Sequence, residues 1–94
     1  MADTPDSETL TPFLEQVVVL DTQGPLLYIG LLRLITPAAL VLADADVHDT
    51  NDSRASKDLY LVETRDLGVR VNRTLVVVMR QQIASISLLR DVVD

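Results

Sequence analysis

Between positions 17 and 47 the hydrophobic residues fall into three dense segments, each short enough to form a strand. The segments cover 17–20, 26–35 and 39–47. The turn signal Gly24-Pro25 separates the first two, and Pro37 separates the second from the third. Gly30 lies in the middle of the second segment, and a residue without a Cβ lets a strand bend sharply. The pattern predicts a sheet that bends as the strands of a small barrel do.

The second segment is apolar on both of its faces. Alternate positions from Leu27 to Ile35 form one face together with Arg33, and the positions between them, from Leu26 to Leu34, form the other. In a single-layer sheet of a monomer one of these faces would contact water. We therefore expect a barrel wall, a helix or another subunit to cover the second face.

The N-terminal part predicts a disordered tail followed by a short helix. Residues 1–10 are polar and acidic without a periodic apolar face, so we expect a disordered acidic tail there. Thr11-Pro12 is a helix-start signal, because Thr can cap a helix and proline at the first helical position loses no bonded N–H. The β-branched run that begins at Val17 favours extended chain and limits this helix to one or two turns.

The C-terminal part predicts one long polar loop and further strands. Residues 48–58 are almost entirely polar and predict a variable loop, with extended chain over 59–64 and a turn at 66–68. A further strand is expected over 71–80. Residues 80–93 fit either a helix, because their apolar residues recur at helical spacing, or a strand. The Ser-Ile-Ser alternation favours the strand, since a short antiparallel return would close a barrel.

Length and composition indicate one domain over residues 11–94. A chain of 94 residues buries roughly 60–70% of its unfolded surface, which is enough for a core. The absence of cysteine excludes disulfides and thiolate metal sites and is compatible with a reducing compartment. The N-terminus lacks the basic and apolar opening of a signal peptide, and the apolar run 26–32 is too short to span a bilayer. We expect a cytoplasmic protein that does not enter a membrane.

The net charge of −6 is unevenly distributed along the chain. Residues 1–53 carry a net charge of −8, whereas residues 65–90 carry +4. An acidic protein has no general attraction for phosphate, because non-specific nucleic-acid affinity depends on displacing counterions with Lys and Arg. The positive charges of the second half can form a local basic patch, or they can belong to an ordinary solvated surface.

Few residues indicate catalysis or metal binding. Asp44, Asp46 and His48 share one face of the third segment, but the spacing of a calcium-binding loop is not present around them. His48 is the single histidine and has no Ser or Cys partner in a recognisable catalytic motif. The three glycines of the chain do not form a phosphate-binding loop. We predict a protein that is not an enzyme and that has no metal site and no cofactor.

The order of elements and two motifs resemble those of the Sm/LSm family. The segments that carry the resemblance are 17–20, Gly24, Gly30 and 40–45 for the first family motif, and 77–80 and 83–86 for the second. The resemblance covers about residues 11–90. It implies a mainly β fold, in which a short N-terminal helix precedes a strongly bent five-stranded antiparallel open barrel of the Sm-like and SH3-like kind.

The resemblance also implies assembly into a homo-oligomeric ring of about five to seven subunits, joined by the fourth strand of one subunit and the fifth strand of the next. The apolar residues expected at this subunit interface are Val76, Val78, Ile86 and Leu88. Unpaired apolar strand edges would otherwise promote aggregation.

A ring of this family implies single-stranded RNA as a partner at the pore. The candidate RNA-binding residues, in the places of the family's nucleotide contacts, are Thr36, Arg80, Gln81 and Gln82. Where the family has an aspartate, an aromatic residue and an asparagine, this chain has only the segment 36–39, without a ring on which a base could stack. The alternative function is therefore a protein-interaction module of the same fold that has lost RNA binding.

Overall fold

The computed structural model describes residues 7–52 and 54–94, in which one antiparallel sheet of five strands is the main feature. The helices and strands are α1 (Ser7–Leu10), β1 (Val17–Thr22), β2 (Leu26–Ile35), β3 (Ala39–Asp49), α2 (Lys57–Leu67), β4 (Arg73–Met79) and β5 (Ile83–Leu88). Short 3₁₀ turns occupy Thr11–Phe13, Thr50–Asp52, Arg80–Gln82 and Leu89–Asp91. The prediction of a mainly β fold, with a short N-terminal helix and a bent, open five-stranded sheet, is confirmed.

The strands follow the order β4-β3-β2-β1-β5 across the sheet. Consecutive strands are neighbours up to β4, and β5 returns to pair with β1 instead of β4. Within the described residues, β4 and β5 therefore each have one edge without a strand partner. The strand prediction for the segment before the C-terminus is confirmed by β5, and the helical alternative is wrong.

The sheet bends where β2 passes β3 at Gly30. A Cβ placed on Gly30 would lie 2.9 Å from the Cβ of Ala45 and 3.1 Å from the carbonyl oxygen of Ala43, both closer than normal contacts. Opposite this point β3 has an irregular register, and Asp44 adopts a φ of 49°, a left-handed conformation that Asp tolerates better than most residues. Gly30 therefore lies at an irregularity of the sheet where β3 approaches β2 too closely for a Cβ.

The inner side of the bent sheet contains the main hydrophobic core. Its buried members are Leu10, Val18, Leu20, Leu32, Leu40, Leu42, Ala45 and Val78. Leu10 is only 4% exposed and comes from α1, so the expected disordered tail is wrong for residues 7–10. The remainder of that expectation, residues 1–6, lies outside the described residues.

A second hydrophobic cluster lies on the outer side of the sheet, where α2 covers β1 and β2. Val19, Leu27 and Ile29 are buried there beneath Tyr60 and Leu61 of the helix. The C-terminal segment after β5 adds Leu89 and Val92 to the same cluster. Of the three covers expected for the second apolar face of β2, a helix is the one found.

The helix α2 replaces the extended segment predicted over 59–64. Ser56 caps its N-terminus, where the Ser56 side chain accepts a hydrogen bond from the Leu59 N–H, and Asp58 lies in the first turn. Gly68 ends the helix with a φ of 99°. The run of large apolar residues was consistent with a strand, but Tyr60, Leu61 and Thr64 follow a helical spacing toward the sheet. The N-terminal cap at Ser56 and the helical spacing of the buried residues together favour a helix over a strand.

The loop between β3 and α2 is shorter than the loop predicted over residues 48–58. His48 and Asp49 complete β3, and residues from Lys57 onward belong to α2. Lys57 fixes the start of the helix, because its ammonium group donates hydrogen bonds to Asp21 Oδ1 at 2.7 Å and to the Gly24 carbonyl oxygen at 2.7 Å. Among the described residues no helix is long and apolar enough to cross a membrane.

Candidate nucleic-acid interface

The turn between β2 and β3 contacts the turn between β4 and β5. Thr36 closes the first turn, because its N–H donates to the Ala39 carbonyl oxygen at 2.9 Å and its Oγ1 accepts from the Ala39 N–H at 2.9 Å. Pro37 and Ala38 form the exposed tip of this turn. The four candidate RNA-binding residues named from the sequence thus come from two adjacent turns.

Arg80 joins the two turns. Its Nη1 donates to the Thr36 carbonyl oxygen at 2.7 Å, and its backbone N–H donates to the Ala38 carbonyl oxygen at 2.9 Å. The whole residue is only 8% exposed. A guanidinium in this position shapes the surface formed by the two turns, and it offers a ligand less contact than an exposed arginine would.

The two turns enclose a shallow depression of about 280 Å³. Its lining residues are Pro37, Ala38, Met79, Arg80 and Gln81. None of these described lining residues is a carboxylate, although the chain as a whole is acidic. The phosphate groups of a bound nucleic acid would therefore not be repelled by carboxylates in the wall of this depression.

A second depression, of about 240 Å³, lies on the other side of the β4–β5 turn. Gln81 and Gln82 line it together with Tyr28 and the β1–β2 turn around Gly24-Pro25. Both glutamines are exposed, so their amides are available to a ligand. Tyr28 was not named from the sequence, because the linear pattern placed it only on the apolar face of β2. Tyr28 pairs with Leu20 of β1, and this pairing places it beside the depression.

The four candidate interface residues lie on the inner side of the sheet. Val78 is 2% exposed and belongs to the main core, and Val76, Ile86 and Leu88 are half-buried against that core. Their side chains therefore stabilise the barrel of their own subunit. Any contribution to assembly would come from the backbone edges of the strands on which they lie.

The outer side of β4 instead exposes three large apolar side chains. They are Leu75, Val77 and Met79, which are 59%, 55% and 45% exposed. The periodicity of two along a strand predicted that either this set or the alternate one would face outward, but it could not decide which. The pairing of Val78 with Leu40 of the core places the alternate set inside.

Asp46 and His48 of β3 form a polar cluster with Tyr60 of α2 and with Asn72. Asp46 is 2% exposed and accepts hydrogen bonds from the Tyr60 hydroxyl and from Asn72 Nδ2. The His48 ring stacks on Tyr60 with a centroid distance of 3.7 Å, and its Nε2 is buried with no hydrogen-bond partner in the described structure. Burial, followed by the hydrogen bond to Asp46, raises the pKa of Tyr60 to about 12. The cluster attaches α2 to β3.

Asp44 is exposed and does not belong to this cluster. Within residues 7–52 and 54–94 no group of three or more His, Cys, Asp or Glu side chains is arranged to hold a metal ion. The face shared by Asp44, Asp46 and His48 in the sequence is interrupted by the irregular register of β3.

Comparison with solved structures identifies the class of fold. A structure of the Sm protein of Pyrococcus abyssii in complex with a uridine heptamer superposes with a TM-score of 0.60. The superposition covers 89% of this chain and 97% of that protein, at 16% sequence identity. No protein-family model matches the sequence, and no curated protein matches it either. The fold is therefore Sm-like.

Proposed function

We propose that this chain is a ring-forming Sm-like protein that binds single-stranded RNA on the surface formed by the β2–β3 and β4–β5 turns. The observation that carries the proposal is the contact between Arg80 and Thr36, which brings all four candidate residues to adjacent turns. The Sm protein with the similar fold is one whose structure contains a uridine heptamer, and this supports the choice of ligand.

Assembly is supported by the two open edges of the sheet. The outer edges of β4 and β5 have no neighbouring strand in the described structure, and such edges pair readily with another chain. Joining β4 of one copy to β5 of the next uses different edges on each side. A heterologous junction of this kind gives a closed ring when the rotation between copies closes.

RNA binding would depend on few groups in each subunit. Gln81 and Gln82 offer exposed amides to base edges, and Tyr28 offers an aromatic ring beside them. Stacking on an aromatic ring is worth about 1–3 kcal/mol per base. Repetition around a ring would multiply weak contacts, because the second and later contacts on one strand are intramolecular.

A second candidate function is a protein-interaction module of the same fold without RNA binding. The burial of Arg80 favours this alternative, because its guanidinium is bonded to Thr36 within its own subunit. The β2–β3 turn also has no aromatic residue, since Pro37 and Ala38 form its tip. Under this alternative the open strand edges and the exposed apolar side of β4 would be the functional surfaces.

One experiment separates these functions. The molar mass of the full chain is measured by light scattering after size-exclusion chromatography, alone and with a U-rich oligoribonucleotide. The proposed function predicts a stable oligomer of about five to seven subunits that shifts when the RNA is added. An oligomer without RNA affinity would favour the second candidate, and a monomer at micromolar concentration would exclude the ring.

The site itself is tested by Gln81→Ala and Gln82→Ala, with Gln23→Ala as the matched control. We expect the first two changes to weaken RNA binding and to leave its salt dependence nearly unchanged, since amides contact bases and do not release counterions. Gln23 is exposed and also borders the Tyr28 depression, but it lies on the β1–β2 turn. RNA binding that Gln81→Ala and Gln82→Ala leave unchanged would place the RNA elsewhere than on the β4–β5 turn.

A further inference from the structure

The β4–β5 turn separates two depressions on the surface of one subunit. We name the first the Arg80 depression, and its lining residues are Pro37, Ala38, Met79, Arg80 and Gln81. The second is the Tyr28 depression, lined by Thr22, Gln23, Gly24, Pro25, Leu26, Tyr28, Gln81 and Gln82. Gln81 borders both. The turn between them is a single 3₁₀ turn, and three residues of such a turn rise by only about 6 Å. One bound strand can therefore reach both depressions with neighbouring units.

Each depression is large enough for one base and too small for a folded segment of nucleic acid. The volumes are about 280 Å³ for the Arg80 depression and about 240 Å³ for the Tyr28 depression. Sites for drug-sized ligands begin at about 300 Å³. The two depressions together thus offer two separate places for small planar groups.

The wall that the β1–β2 turn gives to the Tyr28 depression is fixed before any ligand binds. Thr22 pairs with Ile83, which places this turn beside the start of β5. The Thr22 hydroxyl donates to the Leu26 carbonyl oxygen at 2.8 Å. The ammonium group of Lys57 donates to the carbonyl oxygens of Thr22 at 3.0 Å and of Gly24 at 2.7 Å. A ligand that enters a wall of this kind does not have to order it, so less free energy is lost on binding.

The Tyr28 depression combines an aromatic ring with amides. Tyr28 is half-buried and packs against the main core, so its ring is held in place. Gln82 is exposed and lines this depression only, opposite the β1–β2 turn. An aromatic ring is a platform on which any base stacks, and an amide carries both a donor and an acceptor for a base edge. These groups are those of a base site.

The Arg80 depression offers a different surface to a base. Met79 is 45% exposed there, and Pro37 and Ala38 form the rest of its apolar wall. A thioether makes favourable contacts with aromatic rings, and a nucleobase presents such a ring. The hydrogen bond from Arg80 to Thr36 fixes the two turns around this wall. A base can therefore pack against Met79 without stacking on an aromatic side chain.

We propose that each subunit binds two consecutive nucleotides of one RNA strand. One base packs against Met79 in the Arg80 depression, the next base stacks on Tyr28, and Gln81 lies between them. This inference rests on the proposed RNA binding and adds its register, since it doubles the number of nucleotides held by each subunit. A strand that follows the ring would be bound over a length of twice the number of subunits.

The register is tested with oligouridines of increasing length. Fluorescence anisotropy gives the affinity of the full chain for each length, and light scattering gives the number of subunits. We expect the affinity to rise until the length in nucleotides is twice the number of subunits, and then to remain constant. A plateau at one nucleotide per subunit overturns the inference and leaves RNA binding intact. Absence of binding at every length overturns both.

Variants of the Tyr28 depression should remove the second nucleotide. Tyr28→Leu and Gln82→Ala should each shorten the plateau toward one nucleotide per subunit, and Tyr28→Leu should weaken binding of the longest RNA by at least about fivefold. The matched control is Leu34→Ala, because Leu34 is 53% exposed and lines neither depression. Its length dependence should equal that of the unaltered protein.

Folding of these variants is verified by circular dichroism melting. Gln82 is exposed, so Gln82→Ala tests the site even where the loss of the Tyr28 ring disturbs the core. A plateau that Gln82→Ala and a folded Tyr28→Leu both leave at its original length overturns the inference.

Crosslinking shows whether the two bases are consecutive. Two uridine dinucleotides are prepared, one with a photoreactive iodouridine at the first position and one with it at the second. Mass spectrometry then identifies the crosslinked residue. We expect one label to react with Tyr28 and the other with Met79, because a dinucleotide spans the two depressions in one direction. Attachment of both labels to the same residue, or to neither of these residues, overturns the inference.

Discussion

The guanidinium of Arg80 is bonded to the carbonyl oxygen of Thr36 at 2.7 Å, across 44 positions of sequence. This single contact joins the β2–β3 turn to the β4–β5 turn and thereby defines the surface proposed to bind RNA. Because the residue is almost completely buried, its replacement changes the shape of the site and the stability of the barrel together.

Arg80→Ala should lower the free energy of unfolding by about 1–3 kcal/mol, because it leaves the partly buried Thr36 carbonyl without its charged donor. Chemical denaturation measures the loss. Gln81→Ala serves as the control, since Gln81 is exposed and neighbouring in sequence, and it should change stability by less than about 0.5 kcal/mol. Equal stability of both variants would mean that the Arg80 contact contributes nothing to folding.

Gly30→Ala should destabilise the fold by about 1–3 kcal/mol, because the added methyl group would overlap Ala45. Gly24→Ala is the matched control. A Cβ at Gly24 would meet no atom within 4 Å. Thermal unfolding of the two variants checks the difference, and a Gly30→Ala variant as stable as Gly24→Ala would show that the bend does not need glycine.

Lys57→Met should loosen α2 by about 1–3 kcal/mol, because the β1–β2 turn loses hydrogen bonds to a charged donor. Hydrogen exchange of the α2 amides should accelerate more than exchange in the β1 and β2 amides. Arg54→Met is the control, since Arg54 is exposed and precedes the helix. Uniform acceleration throughout the chain would indicate that α2 does not open separately from the sheet.

The pKa of Tyr60 predicts a loss of stability at high pH. Folding raises this pKa from its ordinary value of 10 to about 12, chiefly through burial and the hydrogen bond to Asp46. Because the folded pKa lies above the unfolded one, the stabilisation is complete below about pH 10 and decreases as the pH rises toward 12.

Absorbance titration of a Tyr28→Phe variant measures the pKa of Tyr60 directly, because Tyr60 is then the remaining tyrosine. Stability of a Tyr60→Phe variant should lack the alkaline loss attributed to this group. An ordinary pKa in the titration would contradict the buried contact with Asp46.

The strands from Val17 to Asp49 were predictable in outline because their evidence is local. Dense apolar segments, the Gly24-Pro25 turn and the central Gly30 each act within a few residues, and the structure confirms the strands and has a register irregularity at Gly30. The helix α2 was missed, because Leu-Tyr-Leu-Val suits a strand until the cap at Ser56 and the face buried against β1 and β2 are taken together.

The sequence by itself determined that one strand needed covering on both faces and that Gly30 would allow this strand to bend, and it favoured a strand over a helix for the C-terminal segment. Only the tertiary structure decided that α2 supplies the cover, that Val78 faces the core while Leu75 faces outward, and that Arg80 reaches Thr36. The reason is physical. Alternation along a strand defines two faces, but the strand register and the covering element decide which face is buried.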